Sequence, residues 1–175
     1  MNGIKRFLLI VISVSLSFLL QMIVFPRIPY LQTMPNMMLI ETLSIGFLFG
    51  RKHGLLTGLT SGLLLDLMGT GIPGFYTLIL SWTGYVDGIL SEKMESELLP
   101  VLVVLFSANE LVFHLYVFCL AFLVGKKFSL LPYIQKTFLP EALLSLILFM
   151  IVYGLLIYAG KRWDLKVRKG EVRVV

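Results

Sequence analysis

The sequence contains few of the residues that form disulfides, thiolate metal sites or a charged surface. It has 1 cysteine and 2 histidines among 175 residues. Because Cys119 has no second cysteine to pair with, an intramolecular disulfide and a metal site built on several thiolates are both excluded. Charged residues make up 14% of the chain, whereas soluble domains carry about 25%. With 58% hydrophobic residues and a mean hydropathy of +0.92, the chain is predicted to be an integral membrane protein.

Long apolar runs predict an all-α fold, a compact bundle of six transmembrane helices. Crossing the hydrocarbon core takes about 20 helical residues, with some tolerance for tilt. The predicted spans are residues 7–25, 35–50, 54–69, 74–90, 98–124 and 139–159, which together form one transmembrane domain over residues 1–160. A basic tail, residues 161–175, follows this domain.

The second and third apolar runs are separated by three polar residues, Arg51, Lys52 and His53. Two cations at the centre of a membrane helix would cost at least ~5 kcal/mol together. A tight turn at the membrane surface avoids this cost. The sequence therefore predicts a helical hairpin with its turn at these three residues.

The distribution of lysine and arginine predicts which ends of the spans face the cytoplasm. One side of a six-span arrangement would carry Lys5, Arg6, Arg51, Lys52, Lys93, Lys161, Arg162, Lys166, Arg168, Lys169 and Arg173. The other side would carry Arg27, Lys126, Lys127 and Lys136. Because cytoplasmic segments are enriched in lysine and arginine, both termini are predicted to be cytoplasmic. The basic tail would then contact anionic lipids or dock a cytoplasmic protein.

Glycine recurs at every fourth position from the second span into the third. The series is Gly46, Gly50, Gly54, Gly58 and Gly62, and the next step of four is Asp66. Residues four apart share one face of a helix, and glycine there lets another backbone approach closely. Because of the predicted turn, Gly54, Gly58 and Gly62 belong to the third helix. We expect these three glycines to pack that helix deep in the bundle.

Five ionisable residues fall in the outer half of the predicted spans: Glu41, Asp66, Glu110, His114 and Glu141. Such groups are costly in lipid and normally face the bundle interior or a cavity. They predict an outward-facing polar pocket, or a polar seam that receives a partner helix.

Less specific explanations exist for several of these groups. Glu141 follows Pro140 at a predicted helix N-terminus, where the helix dipole favours an acid. Glu110 and His114 are four residues apart and can satisfy one another on one helix face. A metal site built from Glu41, Asp66, Glu110 and His114 is only weakly specified by a generic E-x-x-x-H spacing, so no metal or cofactor is predicted.

The stretch from Pro35 to Leu90 resembles the MreD family of rod shape-determining proteins. The resemblance rests on Pro35 opening the second span, the basic hairpin after Gly50, the sequence G-L-L-L-D from Gly62 to Asp66, and then Gly71 and Gly74 before another apolar span. Chain length, six candidate spans and short loops also fit this family. Asn36 departs from it, since the family more often has an acid after the proline.

The resemblance implies a noncatalytic scaffold subunit of the bacterial elongation machinery in the inner membrane. Such a subunit would bind the single-span protein MreC and would be linked to MreB filaments, the RodA glycosyltransferase and a class B penicillin-binding protein. Membrane lipids and a second copy of the chain are further candidate partners, and no nucleic acid is expected. Pro35, Gly71 and Gly74 would shape the turns of the family motif.

Two alternative functions fit the sequence less well than this scaffold. MreD is similar in architecture to the vitamin-binding S-components of energy-coupling-factor transporters, which typically dock through alanine-xxx-alanine spacing on helix 1. Helix 1 here contains no alanine and offers Ser13 and Ser17 instead. An intramembrane hydrolase would need a base beside its nucleophile, and neither His53 nor His114 lies in a motif of such enzymes.

Overall fold

The computed structural model describes residues 2–27, 34–68, 73–93, 99–123 and 133–162. These ranges contain six α-helices and no β-strand, which confirms the predicted all-α fold for them. The helices are α1 (Asn2–Leu19), α2 (Met37–Phe49), α3 (Arg51–Leu67), α4 (Phe75–Lys93), α5 (Leu99–Leu123) and α6 (Leu139–Arg162). Within the described ranges, three segments are long and apolar enough to cross a bilayer: Ile4–Arg27, Pro100–Cys119 and Leu139–Arg162. Met37–Phe49 is a shorter apolar helix.

Two of the helices are extended by turns that follow a wider or tighter hydrogen-bonding pattern. A π-helical turn (Leu20–Val24) and a 3-10 turn (Phe25–Arg27) follow α1, and a π-helical turn (Ile134–Phe138) leads without a break into α6. In this second turn the Leu139 N–H donates to the Ile134 carbonyl. Pro140 comes next and has no N–H to continue an α-helical ladder from the preceding turn. The wider turn therefore lies where the proline interrupts α-helical hydrogen bonding.

Contacts at the two ends of the bundle show that successive helices run in opposite directions. At one end the Arg6 guanidinium lies 5.1 Å from the centre of the Phe49 ring, and Arg51 Nε lies 3.8 Å from Glu92 Oε2. These contacts join the start of α1 to the end of α2, and the start of α3 to the end of α4. We call this the basic end.

At the opposite end, which we call the histidine end, the second half of α5 meets the beginnings of α4 and α6. The Tyr116 hydroxyl donates to the Phe75 carbonyl over 3.3 Å, and His114 lies 3.6 Å from Glu141. The Met38 N–H donates to Gln21 Oε1 over 3.1 Å, which places the end of α1 here as well. The helices therefore alternate in direction, as a multi-span bundle requires.

Helix α2 forms the centre of the core. All 13 of its residues are buried, and it packs against α1, α3, α4 and α6. Two hydroxyl groups of α2 hydrogen-bond to the backbone of the same helix: Thr42 Oγ1 donates to the Met38 carbonyl, and Ser44 Oγ donates to the Ile40 carbonyl. A helix that is apolar on every side is expected at such a position.

The turn between α2 and α3 consists of a single residue, Gly50. Its φ of 85° and ψ of 178° lie in a region that is essentially restricted to glycine. The sequence had predicted the turn at Arg51, Lys52 and His53, but these residues form the first turn of α3. The cations still lie at the basic end, so the physical reason for the hairpin holds although its turn is one residue earlier.

Candidate functional site

Helices α3 and α4 meet backbone to backbone along the glycines of α3. A Cβ atom added to Gly54 would overlap the Gly84 carbonyl, and one added to Gly58 would overlap the Leu80 carbonyl. At Gly62 the overlap would be with the backbone of Thr77 and Tyr76. No side chain fits between the two helices at these points, and α3 with α4 is the most closely packed pair of elements in the described chain.

Asp66 caps the N-terminus of α4. Its Oδ1 accepts from the Tyr76 N–H over 2.9 Å and its Oδ2 accepts from the Thr77 N–H over 3.1 Å. The Thr77 hydroxyl donates to the same Oδ2. The first N–H groups of a helix have no intrahelical partner, and an acidic side chain there is favoured by both hydrogen bonding and the helix dipole. Asp66 thus joins the end of α3 to the start of α4.

Pro35 and Gly74, two further residues of the family motif, lie beside helix starts. Pro35 is buried, and its carbonyl accepts from the Met37 N–H over 3.0 Å. The following residue, Asn36, caps α2 by accepting the Leu39 N–H on Oδ1 over 3.1 Å. Gly74 has a φ of 86° and precedes α4, where its carbonyl accepts from the Leu78 N–H. Gly71 lies outside the described residues.

Glu41 lies at the floor of a groove between α1 and α6. The groove has a volume of about 290 Å³ and is lined mainly by aliphatic side chains, together with Ser13 and Ser17. Ser17 Oγ donates to Glu41 Oε2 over 3.1 Å. The other carboxyl oxygen, Oε1, is buried and has no hydrogen-bond partner in the described structure. Only 1% of the Glu41 surface is exposed, so this carboxyl is held inside the protein at the edge of an apolar groove.

Glu110, His114 and Glu141 form one cluster at the histidine end. His114 Nε2 lies 3.7 Å from Glu110 Oε1 on the same helix and 3.6 Å from Glu141 Oε1 on α6. His114 Nδ1 lies 3.0 Å from the Tyr133 hydroxyl. The cluster therefore connects α5 to the start of α6 through polar side chains that are largely removed from solvent.

The five predicted polar residues thus occupy three separate places. Glu110, His114 and Glu141 form the cluster at the histidine end. Asp66 caps the start of α4, and Glu41 faces the groove beside α1. The sequence analysis missed Tyr133, which lies just before the predicted sixth span and carries no motif. It also missed Asn109, whose Nδ2 donates to Asp87 Oδ1 over 2.9 Å between α5 and α4. An amide five residues before a histidine, within an apolar run, was the signal available for Asn109.

Comparison with known proteins matches the chain to a family. No curated protein and no solved structure matches the chain. The family model for the rod shape-determining protein MreD matches residues 1–159. This match extends well beyond the glycine-rich stretch that carried the resemblance, and it includes the residues of both the groove and the histidine cluster. The chain therefore belongs to the MreD family of rod shape-determining membrane proteins.

Proposed function

We propose that the chain is a noncatalytic scaffold of the bacterial elongation machinery, located in the inner membrane as a multi-pass protein. In this proposal it holds the transmembrane helix of an MreC-type single-span protein in the groove between α1 and α6. Through that partner it would be linked indirectly to MreB filaments, RodA and a class B penicillin-binding protein. The shape-determining family and its membrane location support the coarser part of this function.

The observation that carries the proposal is the position of the Glu41 carboxyl in this groove. An ionisable side chain in a membrane bundle is costly and normally has a partner. Ser17 donates to one oxygen of Glu41, while the other accepts no hydrogen bond in the described chain, although the Ser13 side chain lies next to the same carboxyl. A donor on an entering helix would supply the missing hydrogen bond, and polar contacts of this kind join helices in lipid.

The walls of the groove suit a helix rather than a small polar molecule. Ser13 and Ser17 are small residues four apart on α1, a spacing that allows close helix approach. The rim carries large aliphatic side chains on both sides, since Leu16 of α1 is 57% exposed and Leu155 of α6 is 61% exposed. In a bilayer these side chains face lipid or a partner. An apolar rim around a polar floor is therefore complementary to a transmembrane helix with one polar residue.

The transporter alternative has no comparable support in the described chain. Asp66 is engaged by the start of α4, and Glu110 and Glu141 lie around His114. Two described grooves, with volumes of about 460 and 400 Å³, are lined mainly by apolar side chains with a few hydroxyl groups, and the second also has His53 in its lining. No described cavity collects the charged groups that would orient a vitamin. The scaffold function is favoured for this reason.

The charge distribution supports the proposed orientation. Arg6, Arg51, Lys52 and Lys93 lie at the basic end, where α1 and α3 begin and α4 ends. Helix α6 begins at the histidine end and finishes with Lys161 and Arg162. The positive-inside rule would place the basic end, and with it both termini, in the cytoplasm.

Cysteine cross-linking tests the groove directly, because the chain has a single cysteine that can be removed. In a Cys119→Ser background, Leu16→Cys and Leu155→Cys would each be combined with single cysteines along the transmembrane helix of the MreC-type partner. Leu115→Cys on α5 is a matched control, since Leu115 is 60% exposed on a different face. We expect cross-links from the two groove positions and none from the control.

Glu41 provides a second test of the same proposal. Glu41→Leu should reduce recovery of the partner, while Glu41→Gln should retain more of it, because an amide keeps a hydrogen-bonding group in the groove. Cross-links at Leu115 alone, or groove cross-links only between two copies of the chain, would contradict the proposal. The second result would identify the groove as a homo-oligomer interface.

A further inference from the structure

The histidine cluster has the arrangement of a metal-binding site. Glu110 and His114 are one turn apart on α5, and Glu141 faces them from α6. One oxygen of each carboxyl group and one ring nitrogen all lie within 4.8 Å of one another. The three ligand atoms thus surround a common point between two helices. Glu110 and His114 form the generic E-x-x-x-H spacing, and the fold adds Glu141, which is distant in sequence, as a third potential ligand.

The two distances from His114 to the carboxylates fit ligands around an ion better than they fit hydrogen bonds. An N–H···O hydrogen bond spans about 2.7–3.2 Å between heavy atoms. Here His114 Nε2 is 3.7 Å from Glu110 Oε1 and 3.6 Å from Glu141 Oε1. Two ligands that each lie ~2.1 Å from a tetrahedral ion are separated by about 3.4 Å. The observed separations are close to that value.

Several buried polar atoms of the cluster lack a hydrogen-bond partner in the described structure. Glu110 is 1% exposed, and neither of its carboxyl oxygens has a hydrogen-bond partner in the described structure. His114 Nε2 likewise has none there. No described lysine or arginine forms an ion pair with Glu110 or Glu141. Two carboxylates in a low-dielectric interior need a compensating positive charge, and a divalent cation would provide it.

Tyr133 fixes the orientation of the histidine ring. Its hydroxyl lies 3.0 Å from His114 Nδ1, on the side of the ring opposite the carboxylates. Metal-binding histidines usually engage their second nitrogen in such a hydrogen bond, which sets the ring orientation and the tautomer. If Nδ1–H donates to the Tyr133 oxygen, the lone pair of Nε2 points toward Glu110 and Glu141. The ring edge also packs against Phe138, with centroids 5.0 Å apart.

We propose that Glu110, His114 and Glu141 bind a divalent transition-metal ion that ties α5 to α6 at the histidine end. One imidazole and two carboxylates suit Zn²⁺ or Mn²⁺, whereas Mg²⁺ prefers an all-oxygen shell that retains several waters. The ion would have a structural role. It would fix the start of α6, directly after the π-helical turn Ile134–Phe138, against the second half of α5.

Metal binding to the purified full-length chain tests the proposal. Protein without a histidine tag would be stripped with a chelator in mild detergent, and its thermal midpoint would be measured with Zn²⁺, Mn²⁺ or Mg²⁺. We expect about one Zn²⁺ or Mn²⁺ per chain and a raised midpoint, with no such effect of Mg²⁺. His114→Gln should lose this response. Glu92→Gln is the matched control, because it removes a carboxylate at the basic end and should keep the response.

Further measurements keep the test valid if His114→Gln fails to fold. Wild-type protein titrated with Co²⁺ should develop the visible absorption of nitrogen and oxygen ligation, and Zn²⁺ should displace it. Tyr133→Phe should bind the metal roughly 10–100-fold more weakly, because the ring loses its orienting partner. Equal Zn²⁺ responses in wild type and His114→Gln would overturn the proposal. So would wild-type protein that binds neither Zn²⁺ nor Co²⁺ below millimolar concentration.

Discussion

Gly54 and Gly84 face each other so closely that a Cβ on either residue would overlap the carbonyl oxygen of the other. The two residues belong to α3 and α4, and the neighbouring contacts at Gly58 and Gly62 have the same character. Lipid tails are as apolar as leucine, so helices in a bilayer gain little by burying large side chains against each other. Close backbone packing therefore replaces the hydrophobic effect as the main attraction between these helices.

Gly54→Ala should destabilise the bundle. The added methyl group would overlap backbone atoms of α4, which cannot rotate away as a side chain could. Overpacking of this kind typically costs about 1–3 kcal/mol. We expect a lower thermal midpoint in detergent, measured by the loss of helical circular dichroism or by aggregation on heating.

Gly154→Ala is the control for this substitution. Gly154 also lies within a helix, but a Cβ there meets no atom within 4 Å. Alanine is favoured over glycine in helix interiors by roughly 0.5–1 kcal/mol. The Gly154→Ala protein should therefore be as stable as wild type or more stable. If Gly54→Ala and Gly154→Ala shift the midpoint equally, the backbone contact between α3 and α4 contributes nothing specific.

Gly50→Ala should weaken the hairpin between α2 and α3. With a φ of 85° and a ψ of 178°, the residue has a conformation that a Cβ makes unfavourable by about 1–3 kcal/mol. We expect a lower unfolding midpoint and faster proteolysis near the turn. Lys52→Ala, two residues away in the first turn of α3, leaves this conformation unchanged and serves as a control. A Gly50→Ala protein with wild-type stability would show that the turn can adopt another geometry.

Removal of the Asp66 cap should destabilise the start of α4. Asp66→Ala loses acceptors for two backbone N–H groups and one hydroxyl, and loss of a cap typically costs about 0.5–2 kcal/mol. Asp66→Asn keeps one acceptor oxygen and should lie between alanine and wild type. Hydrogen exchange at the N–H groups of Tyr76 and Thr77 reports the effect locally. If Asp66→Asn matches wild type in exchange, stability and partner recovery, the negative charge has no special role.

The Arg51–Glu92 ion pair should contribute little to stability. Its side chains are 49% and 26% exposed, and the atoms are 3.8 Å apart. Exposed pairs of this kind contribute roughly 0–1 kcal/mol and are screened by salt. Arg51→Gln should therefore change the unfolding midpoint far less than Gly54→Ala does, and high salt should remove any difference. A loss as large as that of the glycine variant would show that this pair holds α3 against α4.

The helical character of the chain follows from its sequence because apolar runs and their interruptions are local features. The run with glycine at every fourth position predicted which face of α3 could approach another backbone. The turn at Gly50 was harder to predict, because the charges of Arg51 and Lys52 place them at a membrane surface without fixing the residue that reverses the chain. Because glycines recur at every fourth position here, the sequence does not show which of them adopts the positive φ of a turn.

The grouping of the polar residues could not be predicted from their depth alone. Glu41, Asp66 and Glu110 were expected in one outer region, but depth does not determine the direction in which a side chain points around a helix axis. Helix α2 is buried on every side, so its sequence has no polar face that would orient Glu41. The pairing of His114 with Glu141 depends on how α5 packs against α6, which is a property of the bundle and not of either segment.

The burial of α2 has a consequence for how the chain enters the membrane during synthesis. Its 13 residues span about 20 Å at 1.5 Å per residue, less than the ~30 Å of the hydrocarbon core. Alone, α2 would leave backbone ends in lipid and the Glu41 carboxyl without Ser17. We expect the insertion machinery to release α2 only together with α3, as one hairpin beside α1. Biogenesis would then depend on the single glycine that joins them.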